Sequence, residues 1–528
     1  MPIDVSRGRH AGVLIPLFSL PSSDSWGIGE ILDIPIVGRW LHAAGQDLLQ
    51  VLPINEMAPG QTSPYSAISA MAVDPIFISM RGVEDFAALG GERALDGDAR
   101  DTLTAVRASA RVEYGRIRAV KDVALRLAFD RFHRDEYLRR SARASALAAW
   151  AATESWWLDD YVVFRALHEA HGERPWMTWP KDIGSRQSDA IDRARRELER
   201  EIVFHQYLQW LANAQWHAAR DQTPVALFGD LPFMVDGDSA DVWANQDLFD
   251  LQASVGVPPD AFSETGQNWG LPVYRWDVMA ACDDSWLHQR ARRSAALYDG
   301  YRIDHVVGFY RTYTIPNDGG KRVFRPPDEA AQLALGERVL GVFRETGSCI
   351  IAEDLGTVPG FVRLSLARLG IPGYKVLRWE REWDQPDRPF RDPLAYPPVS
   401  VATSGTHDTE PLAVWWDAAP EEEREKVGEI AMLRALVGRC DLATADFTAR
   451  LRDGLLEVLF ASGSDFLILP IQDVFGWRDR INVPATVSDE NWSYRLPWPV
   501  DALENEPQAR ERAARLREWA ARHGRLAP

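Results

Sequence analysis

Cysteine is close to absent. Cys282, Cys349 and Cys440 are the only three, and they lie far apart in a chain of 528 residues. A sparse, odd set excludes a disulfide framework and has no metal-ligand spacing. It points to a reducing compartment, so a cytoplasmic location is expected. Cations are in the minority: 59 Lys and Arg against 77 Asp and Glu leave a net charge of −18. That excludes sequence-independent binding to nucleic acid or an anionic membrane, both of which need cationic surface. No apolar run approaches the ~20 residues of a membrane-spanning helix. The opening M-P-I-D-V-S-R-G-R-H has no apolar leader stretch, and the run Val13 to Leu20 is short and broken by Pro16. Also missing are a G-x-G-x-x-G after an early strand, a G-x-S-x-G elbow, a phosphate-binding P-loop and any internal repeat.

What is present is an ordinary globular composition, 46% hydrophobic and 26% charged, with tryptophan unusually frequent at 21 residues. Most of these tryptophans are expected to fill a large core, and a minority to form stacking faces. Eight short apolar or β-branched runs recur. They begin at Gly12, Asp47, Pro224, Gly300, Cys349, Tyr374, Val399 and Asp465, and most end in a polar cluster. Helix-like segments separate them, among them Ile31 to Ala44, Asp328 to Thr346, Pro420 to Val437 and Phe447 to Ala461. Strands alternating with helices imply a parallel sheet, and eight such units predict an α/β fold of the (β/α)8 TIM-barrel type with inserted helical subdomains.

Two intervals exceed one crossover helix. The first, after the second strand, is charged and alanine-rich with helical period. The second, between the third and fourth strands, is rich in Gly, Pro and Trp. The expected organisation is 1–80 as the first part of the barrel, 81–185 as an inserted helical subdomain, and 186–528 as the remainder. Residues 236–281 are read as an irregular insertion with local helices covering the site. Ser188 to Arg220 reads as one or two amphipathic helices, and Pro507 to His523 as a closing helix.

The stretch G-Y-R-I-D-H-V-V-G, Gly300 to Gly308, places three ionisable residues at the end of a core strand. Charged groups are seldom buried without partners. In a barrel the chemistry sits where strands end and loops begin. Three runs end in a carboxylate there, Asp304, Glu353 and Asp408, with Asp230 and Asp473 in comparable places. Arg302 and Asp304 share a strand face, so the cation keeps Asp304 ionised. Glu353 follows Ile350, Ile351 and Ala352 and precedes Asp354, surroundings that raise its pKa and suit a proton donor. One ionised and one protonated carboxyl across a pocket meet the needs of glycosidic bond cleavage. His305 and His407 flank the aspartates and are positioned to donate to sugar hydroxyls. Asp236, Asp238 and Asp241, in D-G-D-S-A-D, lack the glycine and terminal glutamate of a calcium loop and read as a turn. No metal and no organic cofactor is expected.

These residues sit in a longer ordered set. It runs S-L-P-S and W-G-I-G near the start, S-P-Y-S from Ser63, G-D-L-P-F-M-V from Gly229, and V-P-P-D-A-F-S-E-T-G-Q-N-W-G-L-P-V-Y-R-W from Val257. Then come R-I-D-H, I-A-E-D-L-G, S-G-T-H-D, I-N-V-P-A-T and N-W-S-Y-R. The chain resembles the amylomaltases, or 4-alpha-glucanotransferases, of the wider α-amylase clan; only about Glu84 to Arg186 is weakly matched. The resemblance implies Asp304 as nucleophile, Glu353 as general acid/base and Asp408 as a third carboxylate stabilising the transition state. It implies that Arg302, His305 and His407 orient sugar and carboxylates, that Asp230 supports the site, and that Tyr65 stacks on the sugar whose bond is cleaved. Gln267 and Trp269 would lie on a loop covering the cleft, and Asn482 near the glucan chain. The implied substrates are maltooligosaccharides and α-1,4-glucans, with glucose among the acceptors. Three stretches depart from the family pattern: P-N-D-G-G-K-R-V-F-R-P-P-D-E from Pro316, R-W-E from Arg378, and T-E-P from Thr409. A hydrolase of α-1,4-glucans on the same scaffold is the alternative.

Overall fold

The computed structural model describes residues 8–259, 266–279, 285–438, 441–484 and 486–527. Cys282 and Cys440, the opening residues 1–7 and the whole D-A-F-S-E-T segment lie outside these residues. Eight strands form a closed, wholly parallel barrel: β1 (His10–Leu14), β2 (Leu48–Gln50), β3 (Ala226–Leu231), β4 (Gly300–Ile303), β5 (Cys349–Ala352), β6 (Gly373–Val376), β7 (Ser400–Thr403) and β8 (Phe466–Pro470). Neighbours in the barrel are neighbours in sequence, and β1 closes onto β8 with His10 opposite Phe466 and Leu14 opposite Pro470. Each expected run overlaps one strand, although β1 begins two residues before its run and β6 one residue before. All positions of β1, β2, β3, β4, β7 and β8 are buried, as befits strands covered on both faces. Close packing constrains one residue beside the site. A Cβ on Gly229 would meet the Tyr298 ring at 2.3 Å, so only glycine lets β3 pass there.

The helices between strands follow the expected spans with two refinements. Pro420 to Val437 is two helices, Glu421–Val427 and Ala431–Val437, separated around Gly428. Ser188 to Arg220 is also two, Ser188–Glu197 and Glu199–Gln222. Asp328 and Thr448 start Glu329–Arg344 and Ala449–Phe460 by accepting from the amides of Ala331 and Leu451. The long interval after β2 carries Gly97–Ala108, Tyr114–Phe132, Ala142–Thr153 and Ser155–Ala170.

The interval 236–281 differs from its irregular reading. It does carry local helices, Ala240–Ala244 and Trp276–Met279. It also carries two long strands, Phe249–Val257 and Gln267–Tyr274, which pair antiparallel. Thr312–Pro316 and Val323–Arg325 extend them to a four-stranded sheet outside the barrel. Two register shifts interrupt the first pairing, and its partner strand comes from beyond β4. Bulged, non-local pairing of this kind leaves little period-2 pattern in any one segment. Among the described residues no helix is long and apolar enough to cross a membrane.

Candidate active site

The C-terminal ends of the barrel strands and the loops after them bring together nine of the candidate site residues, and Gln267 and Trp269 approach from the sheet outside the barrel. At the centre is Arg302 on β4, 4% exposed. Its Nη1 donates to both oxygens of Asp230 on β3, at 2.8 and 2.7 Å. Its Nη2 lies 2.7 Å from Asp304 Oδ1 and 3.8 Å from Glu353 Oε2. One nitrogen thus spans two carboxylates from adjacent strand ends. The separation of those two oxygens cannot exceed the sum of the two distances. The pairs differ in accessibility: the Asp230 side chain is fully buried, whereas those of Asp304 and Asp408 are 27% and 43% exposed.

Glu353 follows β5. Its Oε2 accepts from the His305 amide at 3.0 Å and its Oε1 from the Leu355 amide at 2.6 Å. Burial pushes its pKa up to about 7; Arg302 opposes this, Asp304 adds to it, and the two amides oppose it more weakly. A half-protonated carboxyl at neutral pH beside a second carboxylate can give a proton and take it back. His305 adopts φ of +43°, uncommon for a residue with a side chain. That conformation turns its amide toward Glu353 and its ring toward Phe233 and Trp269, with centroids at 5.7 and 5.0 Å. Strain at such a point is typical of functional sites. Burial lowers the His305 pKa, so its imidazole is neutral at neutral pH.

Asp408 lies on the loop after β7. Asn482 Nδ2 donates to its Oδ1 at 2.7 Å, and His407 Nε2 lies 3.3 Å from its Oδ2. Burial alone would raise its pKa, but the His407 charge and hydrogen bond, then the Asn482 amide, outweigh it and hold it well below the carboxylate range. His407 is raised in turn: burial disfavours its charge, and Asp408 more than compensates. Tyr65, on the loop after β2, joins the two halves. Its hydroxyl donates to Asp230 Oδ2 at 2.7 Å and receives Arg302 Nη1 at 3.4 Å. His407 Nε2 at 3.1 Å completes one donor and two acceptor sites, which assigns the proton to that nitrogen. The Tyr65 ring stacks on His407 at 5.4 Å. Gln267 and Trp269 lie on the antiparallel strand Gln267–Tyr274, where Trp269 Nε1 donates to Gln267 Oε1 at 3.3 Å. They meet the centre through the Trp269–His305 contact.

The remaining acids are structural. Asp473 accepts from Ser404 Oγ and the Leu412 amide. Asp236 accepts from the Asp238 amide, Asp238 from the Trp176 amide, and Asp241 from the Ala70 amide and the Trp286 indole. Two site residues escaped the sequence reading. Trp492 places its ring 5.7 Å from Tyr65 and 5.8 Å from His407, with φ of +63°. Arg480 donates to the carbonyl of Asp408. Both stand in or beside the N-W-S-Y-R and I-N-V-P-A-T motifs, and position in a motif was the only available signal.

The site combines clustered carboxylates, a bridging arginine and aromatic faces, the equipment of glycosyl transfer. Comparison agrees. The sequence pattern of the 4-alpha-glucanotransferase family matches residues 15–501. The 4-alpha-glucanotransferase of Chlamydia pneumoniae is 32% identical over 514 residues, covering 93% of this chain and 92% of its own. That of Thermus thermophilus is 33% identical over 506 residues, covering 92% and 95%. An amylomaltase from Streptococcus agalactiae, solved in complex with acarbose, superposes with a TM-score of 0.81 at 27% identity, covering 98% of this chain and 100% of that one. The chain belongs to the 4-alpha-glucanotransferase, or amylomaltase, family.

Proposed function

We propose that this enzyme moves a glucanosyl segment between α-1,4-glucans by a retaining double displacement with Asp304 as nucleophile. Its donors are maltooligosaccharides and longer α-1,4-glucans, its acceptors glucose or another glucan, and its setting the cytoplasm. In the first half, an Asp304 oxygen bonds to the anomeric carbon while the glycosidic bond breaks. Protonated Glu353 gives its proton to the departing oxygen, and the fragment leaves as an alcohol. In the second half, Glu353, now a carboxylate, takes the proton from the acceptor 4-hydroxyl. That oxygen bonds to the anomeric carbon as the Asp304 ester breaks. Two inversions leave the α configuration unchanged.

The observation that carries this reading is the shared Arg302 nitrogen. It limits the separation of the Asp304 and Glu353 oxygens to a span that admits the ~5–5.5 Å of retaining enzymes and reaches only the lower edge of the ~6.5–9.5 Å of inverting ones. Asp408, held ionised by His407 and Asn482, stabilises the cationic sugar ring of both transition states and receives ring hydroxyls. Tyr65 and Trp269 supply faces for sugar rings. The test is covalent trapping. A fluorinated glucosyl donor of low reactivity, incubated with enzyme carrying Glu353→Gln, should label the peptide containing Asp304, as read by mass spectrometry. Labelling of another residue, or product of inverted configuration, would reject the assignment. A maltotriose product profile with a constant total of reducing ends reads transfer directly.

A further inference from the structure

Two of the three stretches that depart from the family pattern meet in space. Arg378, from R-W-E after β6, donates Nη1 to Glu410 Oε1 at 2.8 Å and Nη2 to the Glu410 carbonyl at 2.9 Å. Glu410 belongs to T-E-P, two residues beyond Asp408. The Arg378 side chain is 3% exposed, and its guanidinium also lies 5.2 Å from the Trp415 ring. An arginine this buried requires a partner: the charge of buried Asp473 acts on it, and Glu410 is the carboxylate in direct contact. The two departures are therefore one compensated feature.

The feature continues toward the reacting atoms. The other Glu410 oxygen, Oε2, lies 3.9 Å from Arg480 Nη1. Arg480 Nη2 donates to the Asp408 carbonyl at 2.9 Å, and its Nε to the Asn482 carbonyl at 3.3 Å. Those are the two residues joined by the 2.7 Å bond from Asn482 Nδ2 to Asp408 Oδ1. One planar guanidinium thus grips the main chain at both ends of a side-chain hydrogen bond that orients Asp408. Arginine suits this place: its donors diverge in a fixed plane, which a lysine ammonium cannot reproduce.

We infer that Arg480 is a positioning residue for glucanosyl transfer, setting the Asp408 carboxylate through the Asp408 and Asn482 main chains, and that Glu410, anchored by Arg378, holds Arg480 in that pose. The inference rests on the role proposed above for Asp408. Arg480 touches neither nucleophile nor proton donor, so its contribution belongs to the transition state that Asp408 stabilises and not to ground-state sugar binding.

The test is steady-state transfer from maltotriose by full-length enzyme. Arg480→Ala is expected to lower kcat about 100-fold, the scale of a small misplacement of a reacting group, with KM within about twofold. Glu410→Gln leaves Arg480 in place but removes the charge that holds it; a loss of about 10-fold in kcat with unchanged KM is expected. The second variant decides the matter if the first does not fold. A folded Arg480→Ala or Glu410→Gln enzyme with kcat within twofold of the parent overturns the inference, as does a loss expressed in KM. Asp408→Asn separates the two levels. If that variant retains activity, the reading of the site fails. If it is inactive while both others are normal, the positioning role alone fails.

Discussion

The Arg302 guanidinium binds both oxygens of Asp230 through a single nitrogen, and neither side chain reaches solvent to a meaningful extent, at 5% and 0% exposure. The pair occupies Nη1, which carries two of the five guanidinium N–H donors, and leaves Nη2 for Asp304. Asp230 is thus the fixed anchor and Asp304 the accessible partner of one cation.

Removing the anchor should be expensive. Asp230→Asn keeps the shape and strips the charge, leaving a buried guanidinium undercompensated. Breaking a buried pair by losing one partner costs about 3–5 kcal/mol. Urea denaturation should show a fall of that order. A change below about 1 kcal/mol would mean that Asp304 and Glu353 already satisfy Arg302 without Asp230.

Loss of the proposed nucleophile should separate binding from turnover. Asp304→Ala is expected to lower transfer by ~10³-fold or more while calorimetry still detects maltooligosaccharide binding. Near-parental rates would discard the assignment.

The proposed proton donor should reveal itself through leaving groups and pH. Glu353→Gln should slow natural glucans far more than donors whose leaving group needs no proton; equal losses on both would remove the role. Glu353 must be protonated for the first half-reaction, so the parent enzyme's rate should fall as pH rises through about 7. With an activated donor, that limb should be absent in Glu353→Gln.

The same carboxyl should tax stability, with a definite sign. Its folded pKa of about 7 lies above the ordinary value of 4.5. Between those values the folded state holds more protons than the unfolded one, so the parent loses stability as pH rises. Glu353→Gln should therefore be more stable than the parent at pH 8, by about 1–3 kcal/mol, with the difference vanishing near pH 4. Thermal midpoints at the two pH values measure it, and equal differences at both would refute the burial argument.

Tyr65→Phe keeps the ring and removes one hydroxyl that serves Asp230, Arg302 and His407. Buried polar groups left without a partner cost about 1–3 kcal/mol. We expect a tenfold or greater loss in kcat with little change in glucan affinity, since stacking survives. A loss of affinity at constant kcat would assign Tyr65 to binding alone.

Much of this was legible beforehand, for a physical reason. Strands buried on both faces are mostly apolar, so the runs from Gly12 and Asp465 announced themselves. An ionisable residue at the end of such a run, as Asp304 after Tyr301 and Ile303, stands out against that background. The sheet formed by Phe249–Val257 with Thr312–Pro316 was not legible. Its strands alternate poorly, and their partners lie more than fifty residues away.

By itself, then, the chain determined the number and order of the barrel strands and the carboxylates at their ends, because burial writes composition locally. Only the tertiary structure decided which groups meet: that one arginine nitrogen serves Asp304 and Glu353, that Trp492 faces Tyr65, and that Arg378 finds Glu410 thirty-two residues on. Charge pairing depends on distance in space, and chain closure, not spacing along the sequence, sets that distance.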